Sequence, residues 1–560
     1  MNKIFLTLVF TATIMHYLFS QSIMDRRESN PILVLSNKAT DNLKKIQFGM
    51  FNHFGPVTIT GDENCLPQIE RIPINEYDNL HGEFKPVLVD AKKLVTLIEA
   101  DSLDYWKYRN KLIADQTRPT YHLLSPLAES HVADPNFAFF WKGKYHLFFI
   151  AKEFFEHVSS IDMIHWRWHP HTEFGGLSGT MFVNRQGIPT LITKNENIEL
   201  RSAMDDDLVK WSTPIPVEPK VRPNQNGSII SHWDPDVWTE GNTTYALHGV
   251  YPLNVGQELT LMKSTDQKNW EFVGPFMSRE MPNVTRNKEI ARKNEDVSCP
   301  NFFKIGNKWM LLCISHIRGC RYYLGNWNKE KFTPDFHARM NWSLSEGMKE
   351  GDHGGDFFAP ESLLSSDGRR VMWAWIFAMS NKRISETWHE VMSLPRELSL
   401  PKDGVLRIKP LRELEQLRYN EVSKKNLIVE AGLPYRIKTV SGDAIEILLT
   451  IKQGKAKSYG VRLLCNKDNN KGLDLVVLPN EKTIKLGSTT APFELKSGED
   501  IQLRIFVDHS IVEVFANDRQ AIVKQYNYMP GDVGVCLFSE GAKMNVSEVK
   551  NWQIAAVNPW

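Results

Sequence analysis

Two aspartates stand directly before prolines, Asp134-Pro135 and Asp234-Pro235, and two further prolines are preceded by small residues, Cys299-Pro300 and Ala359-Pro360. Proline restricts the backbone of the residue before it, so an Asp in that place carries a carboxylate of fixed direction. A single Asp-Pro is ordinarily a turn start. Here all four pairs introduce the same pattern, an apolar strand, a short polar turn and a second apolar strand. Repetition of the pair at the head of a repeated unit points to carboxylates gathered at one end of a symmetric fold. His232, His316 and His353 lack any i, i+4 or HxH spacing, which favours structural histidines over a metal centre. Cys65, Cys299, Cys313, Cys320, Cys465 and Cys536 form no CxxC pair, and their spacing dictates no disulfide.

The elements that position these residues recur five times: 137–150, 180–193, 237–250, 302–315 and 362–376. Each turn carries Gly or Asn where a positive φ is needed, which is hairpin chemistry. The second unit opens through Leu177-Ser178-Gly179 rather than through a proline. Spacings of roughly 45 to 65 residues between units fit one sheet per repeat. Five sheets closing on themselves predict a β-propeller whose inner strands surround an axial funnel, with the X-Pro residues converging at one end. A Pro- and Leu-rich bridge, Leu394–Arg418, comes next, and from about Asn426 the pattern changes to short alternating strands such as Gln502–Ala516 and Val533–Phe538. That predicts a sandwich packed on the propeller. The expected fold class is all-β, with a propeller over 116–418 and a sandwich over 419–560.

Composition narrows the partners. Lys plus Arg number 67 against 66 Asp plus Glu, so no net field argues for nucleic acid or an anionic membrane. The 16 tryptophans suit the apolar faces of sugar rings, but their number alone points more to core packing than to sugar binding. Lys3 precedes an apolar run from Ile4 to Phe19, and Ser20-Gln21-Ser22 supplies small residues at a cleavage site, the layout of a secretory signal over 1–22. No later run approaches the length of a membrane-spanning helix. Export makes the sequons at Asn226, Asn242, Asn283, Asn341 and Asn545 relevant only in a host that glycosylates such proteins.

Eight blocks in order, from about Arg118 to the end, resemble glycoside hydrolase family 32, the invertase, inulinase and levanase family. They are ADPN (133–136) with FWKGKYHLFF, HVSSIDMIHWRWHP (157–170), LSGT (177–180), WDPDVW (233–238), VSCPNFF (297–303), GGDFFAPESLL with GRRVMWAWI, LPRELSL, and LRIFVDHSIVEVFAND (503–518). The resemblance implies retaining hydrolysis of β-fructofuranosides by two carboxyl groups about 5–5.5 Å apart, with no metal or organic cofactor. It makes Asp134 the nucleophile and Asp234 the transition-state stabiliser. It places Asn136, Ser178, Trp233, Ser298, Asp356 and Glu361 against the sugar, with His157 and Asp162 orienting loops at the funnel rim.

Two positions depart from the family pattern. Trp233 stands where an Arg normally precedes the second Asp-Pro, exchanging a bidentate donor for a stacking surface. Ser298 stands where the general-acid Glu is expected, and a hydroxyl is too weak an acid for that task. Asp296 lies two residues before Ser298, and strand residues at i and i+2 share a face, so Asp296 is the candidate replacement acid; Glu361 is a further one. The alternative is a propeller that binds oligo- or polysaccharide without cleaving it, and Trp233 keeps a changed sugar specificity open. Residues 23–115 do not fit the propeller. Phe48–Pro56 (FGMFNHFGP) and Ile72–Glu99 resemble the opening of the α-L-fucosidase family, but a barrel needs about 250 residues. No fucosidase activity is expected, since His53 lacks the rest of such a site.

Overall fold

A computed structural model describes residues 107–558, apart from 108, 126–131, 152–153, 196, 218–232, 250–258, 278–296, 317–318, 329, 343–356, 378–384, 386 and 389. The expected signal over 1–22, the fucosidase-like segment, His53, His232, Asp296, His353 and Asp356 therefore lie outside the described residues. Residues 115–560 form one compact unit. Within it, four four-stranded antiparallel sheets and one five-stranded sheet are succeeded by two six-stranded sheets.

The first five sheets are the blades. Their inner strands are Pro135–Trp141, Gly179–Val183, Trp233–Glu240, Ser298–Ile305 and Phe357–Leu364. Each touches the inner strand before and after it, and the fifth returns to the first, so the ring closes. The first turn of every blade carries a glycine at positive φ, Gly143, Gly187, Gly241, Gly306 and Gly368, which is what a tight hairpin with right-handed strands requires.

The outer turn between third and fourth strands repeats a motif of its own. Asp162 accepts hydrogen bonds from the N–H of Ile164 and His165 at 3.0 and 2.9 Å, with Met163 at φ 65°. Asp266 does the same for Lys268 and Asn269 at 2.9 and 2.7 Å, with Gln267 at φ 60°. In both, a Trp comes after the turn, Trp166 and Trp270. The carboxylate satisfies N–H groups that the left-handed residue turns out of the sheet.

The two six-stranded sheets make the sandwich. Strand Ile501–Asp508, after an exposed Gln502 and a half-buried Arg504, is buried at every position from Ile505 on, and its partner Ile511–Ala516 is buried throughout, because both faces are covered there. Leu503, Ile505, Val507, Val512 and Val514 point into the sandwich core, while Phe506, Ile511 and Phe515 join the propeller core.

Polar groups lock this junction. Arg396 is fully buried, donates to Glu513 at 2.6 Å and lies 4.1 Å over the Phe357 ring at the head of the fifth inner strand. His122 bridges Asp508 and Glu513 at 2.8 and 3.3 Å, and Asp508 also accepts the N–H groups of Thr120, Tyr121 and His122. Burial alone would lower the His122 pKa, but the two carboxylates outweigh it and hold the imidazole at about 9. The segment preceding the propeller is thus tied to the sandwich. Asn341 sits in the same seam, 3% exposed and bonded to both backbone groups of Val523, so its sequon is closed to glycosylation.

Candidate active site

The X-Pro pairs are kinks in the inner strands. Asp234, Cys299 and Ala359 have φ of 33°, 46° and 44°, and the pairing register slips at the X-Pro residues of blades 1, 3, 4 and 5. A bulge of this kind inserts one residue and re-aims the side chains around it. Left-handed backbone at a non-glycine residue costs about 1–3 kcal/mol and persists only where the surroundings impose it.

The kinks sort the side chains into two rings. The residues before the prolines, with Ser178 in the proline-free blade, form the upper ring: Asp134, Ser178, Asp234, Cys299 and Ala359. Asp234 is 4% exposed and accepts from the Cys299 N–H at 2.9 Å, with the Cys299 Sγ 3.6 Å away. Cys299 is also hydrogen-bonded to Ser178. Asp134 keeps part of its surface accessible. Burial, then repulsion from Asp234, push its pKa up to about 7; Glu390 adds to the rise and His316 opposes it. Five groups from four blades, Asp134, Asp234, Cys299, His316 and Glu390, therefore share one electrostatic neighbourhood at the head of the funnel.

The residues after the prolines form a lower ring that stitches blade to blade. Thr180 accepts from the Val237 N–H at 3.0 Å, and Asp236 accepts from the Phe302 N–H at 2.6 Å. Asn301 accepts from the Ser362 hydroxyl, and Glu361 accepts from the backbone of Ala138 and Ser362. Four of the five blade junctions carry such a bond. Burial raises Asp236 to about 7 and lifts Glu361 well above the carboxylate range, Asp236 adding repulsion to the latter.

This geometry corrects several expectations. Asn136 and Glu361 are buried in the lower ring rather than facing a sugar: Asn136 donates to the Asp134 carbonyl at 3.1 Å, and Glu361 is engaged by backbone donors. The bulge explains the error, since one inserted residue sends the post-proline side chain into the seam. His157 is not at the rim. It is fully buried inside blade 1, stacked 4.0 Å from Phe148 and 4.3 Å from His169, and burial holds its pKa well below the usual value. Asp162 belongs to the outer turn described above. Ser178 joins the upper ring and Ser298 is fully buried beside it, opposite Ile314. Trp233 begins the third inner strand; of its side chain nothing is described. Glu390 and His316 come into the site although the residues around them gave no carboxylate-pair or proline signal. The one sequence clue was the place of Glu390, just upstream of LPREL.

The model of the glycosyl hydrolases family 32 N-terminal domain matches residues 125–410, and that of the family's C-terminal domain matches 413–553. A sucrose-6-phosphate hydrolase of Zymomonas mobilis is 24% identical over 488 residues, spanning 77% of this chain and 90% of its own. A raffinose invertase of Escherichia coli is 26% identical over 450 residues, spanning 74% and 90%. Fructan 1-exohydrolase IIa from Cichorium intybus superposes with a TM-score of 0.65 at 18% identity, covering 79% of this chain and 98% of its own, a likeness of fold.

Proposed function

The chain belongs to glycoside hydrolase family 32 and is a glycosidase of the β-fructofuranosidase kind, and from that premise we propose that it cleaves terminal fructose from sucrose or fructans by a retaining mechanism. Asp134 attacks the anomeric carbon and Asp234 holds ring hydroxyls and stabilises the charge that develops there. The observation that carries this reading is the meeting of Asp134 and Asp234 at the head of the funnel, close enough for Asp234 to be the largest charge acting on Asp134. The kinked backbone and the Cys299 N–H fix the direction of the Asp234 carboxylate before substrate arrives, which is what preorganised stabilisation needs. We further propose that the protein is exported, on the apolar run Ile4–Phe19 after Lys3.

Ser298 favours a second reading, a sugar-binding propeller without turnover. One experiment separates the two. Fructose release from sucrose, inulin and levan is measured for wild type, Asp134→Asn and Asp234→Asn. Release by wild type that both substitutions abolish supports hydrolysis. Binding of one of these sugars without release establishes the second reading.

A further inference from the structure

Attack by Asp134 leaves the glycosidic oxygen in need of a proton, and neither Ser298 nor Glu361 supplies it. Ser298 has too weak a hydroxyl, and the Glu361 oxygens accept backbone N–H bonds in the lower ring. We propose that Glu390, from the third strand of the fifth blade, is the proton donor to the leaving oxygen and the base that afterwards activates water. The proposal rests on the reading of the chain as a β-fructofuranosidase.

The sheet register places Glu390 for this task. In the fifth blade Phe358 lies opposite Trp375, and Trp375 lies opposite Met392. Directly opposed residues share a face of the sheet, and so do residues two apart along a strand. Glu390 is two residues from Met392 and therefore projects from the same face as Phe358. That face looks toward blade 4, because the Phe358 ring meets the His316 ring of blade 4 at 5.3 Å. Glu390 also begins its strand at the end of the blade where the inner strand starts, opposite Phe377 and one step beyond the Phe357–Ile376 pair. It is partly exposed, unlike Glu361. The repulsion it exerts on Asp134 agrees with a place on the funnel wall.

In the first step the Asp134 carboxylate bonds to the anomeric carbon, and the bond to the leaving sugar breaks. Its electron pair goes to the glycosidic oxygen, which takes the Glu390 proton. In the second step the Glu390 carboxylate takes a proton from water. The water oxygen bonds to the anomeric carbon and the Asp134 carboxylate leaves, restoring both groups.

The test compares sucrose with β-fructofuranosyl fluoride, whose leaving group needs no protonation, in wild type, Glu390→Gln, Glu390→Ala, Asp296→Asn and His316→Ala. General acid–base catalysis contributes about 10²–10⁴-fold. Glu390→Gln is expected to lose at least about 100-fold in kcat on sucrose, and far less in the rate at which the fluoride forms the fructosyl-enzyme. Azide, which attacks the fructosyl-enzyme without a base, is expected to restore turnover of the fluoride by Glu390→Ala and yield fructosyl azide. Unchanged sucrose turnover in Glu390→Gln, or a leaving-group-dependent loss found only in Asp296→Asn or His316→Ala, overturns the proposal. A wild type inactive on both substrates overturns the fructosidase reading itself, and the assignment of Glu390 falls with it.

Discussion

Asp134→Asn should make the protein more stable at pH 8 and leave it unchanged at pH 4. The carboxyl is raised from 3.8 in the unfolded chain to about 7 in the fold. Between those values the folded state binds more protons than the unfolded state, so stability falls as pH rises through the window. The cost is absent below about 4 and complete above about 7. Roughly three units at 1.36 kcal/mol each set a ceiling of about 4 kcal/mol. Asp134 is partly accessible, and water screens some of that, so about 1–3 kcal/mol is expected. For a unit spanning 115–560, an unfolding entropy of about 2.1 cal/mol/K per residue gives roughly 1 °C per kcal/mol, so the Asp134→Asn substitution would raise the melting temperature at pH 8 by about 1–3 °C. Melting curves of wild type and variant from pH 4 to 9 give the result. A difference that stays constant with pH, or a variant less stable than wild type at pH 8, refutes the claim that the funnel strains its nucleophile.

The same raised Asp134 should place the acid limb of kcat/KM for sucrose near pH 7, activity falling below it as the nucleophile takes up a proton; a flat profile down to pH 5 contradicts this. Glu513→Gln removes the buried partner of Arg396 and His122 and should cost about 3–5 kcal/mol, read as a lower melting temperature. His122 is held at about 9 against 6.5 when unfolded, so its stabilisation is complete below about 6.5 and is lost as pH rises through 9. Wild type should therefore lose more thermal stability between pH 7 and 10 than His122→Asn does. Asp162→Ala removes the acceptor of the outer turn and should cost about 1–2 kcal/mol while leaving kcat on sucrose unchanged.

The blades were legible because each hairpin combines apolar strands with a glycine turn, and because the X-Pro pair recurs at the head of four of them. The same pairs concealed the orientation of the residues after them. A bulge changes which face the next side chain occupies, and sequence alternation cannot register it without the partner strand. The family resemblance set Asn136 and Glu361 against the sugar, whereas they belong with Thr180, Asp236 and Asn301 to the seam between blades. The strand pair over 501–516 was recognisable as a motif, yet its purpose needed the packing: Asp508 and Glu513 face Arg396 and His122 across the junction. Glu390 had no signal of its own, since a three-residue strand shows no periodicity and its relation to Asp134 spans the ring.

The site's central claim is that Asp134 holds the sugar covalently between the two steps. Acid quenching of wild type during sucrose turnover, then proteolysis and mass spectrometry, asks where the sugar is. An added hexosyl mass on the peptide carrying Asp134, absent in Asp134→Asn, is the predicted result. Fructose release without any adduct there, or an adduct on another carboxylate, would contradict the assignment.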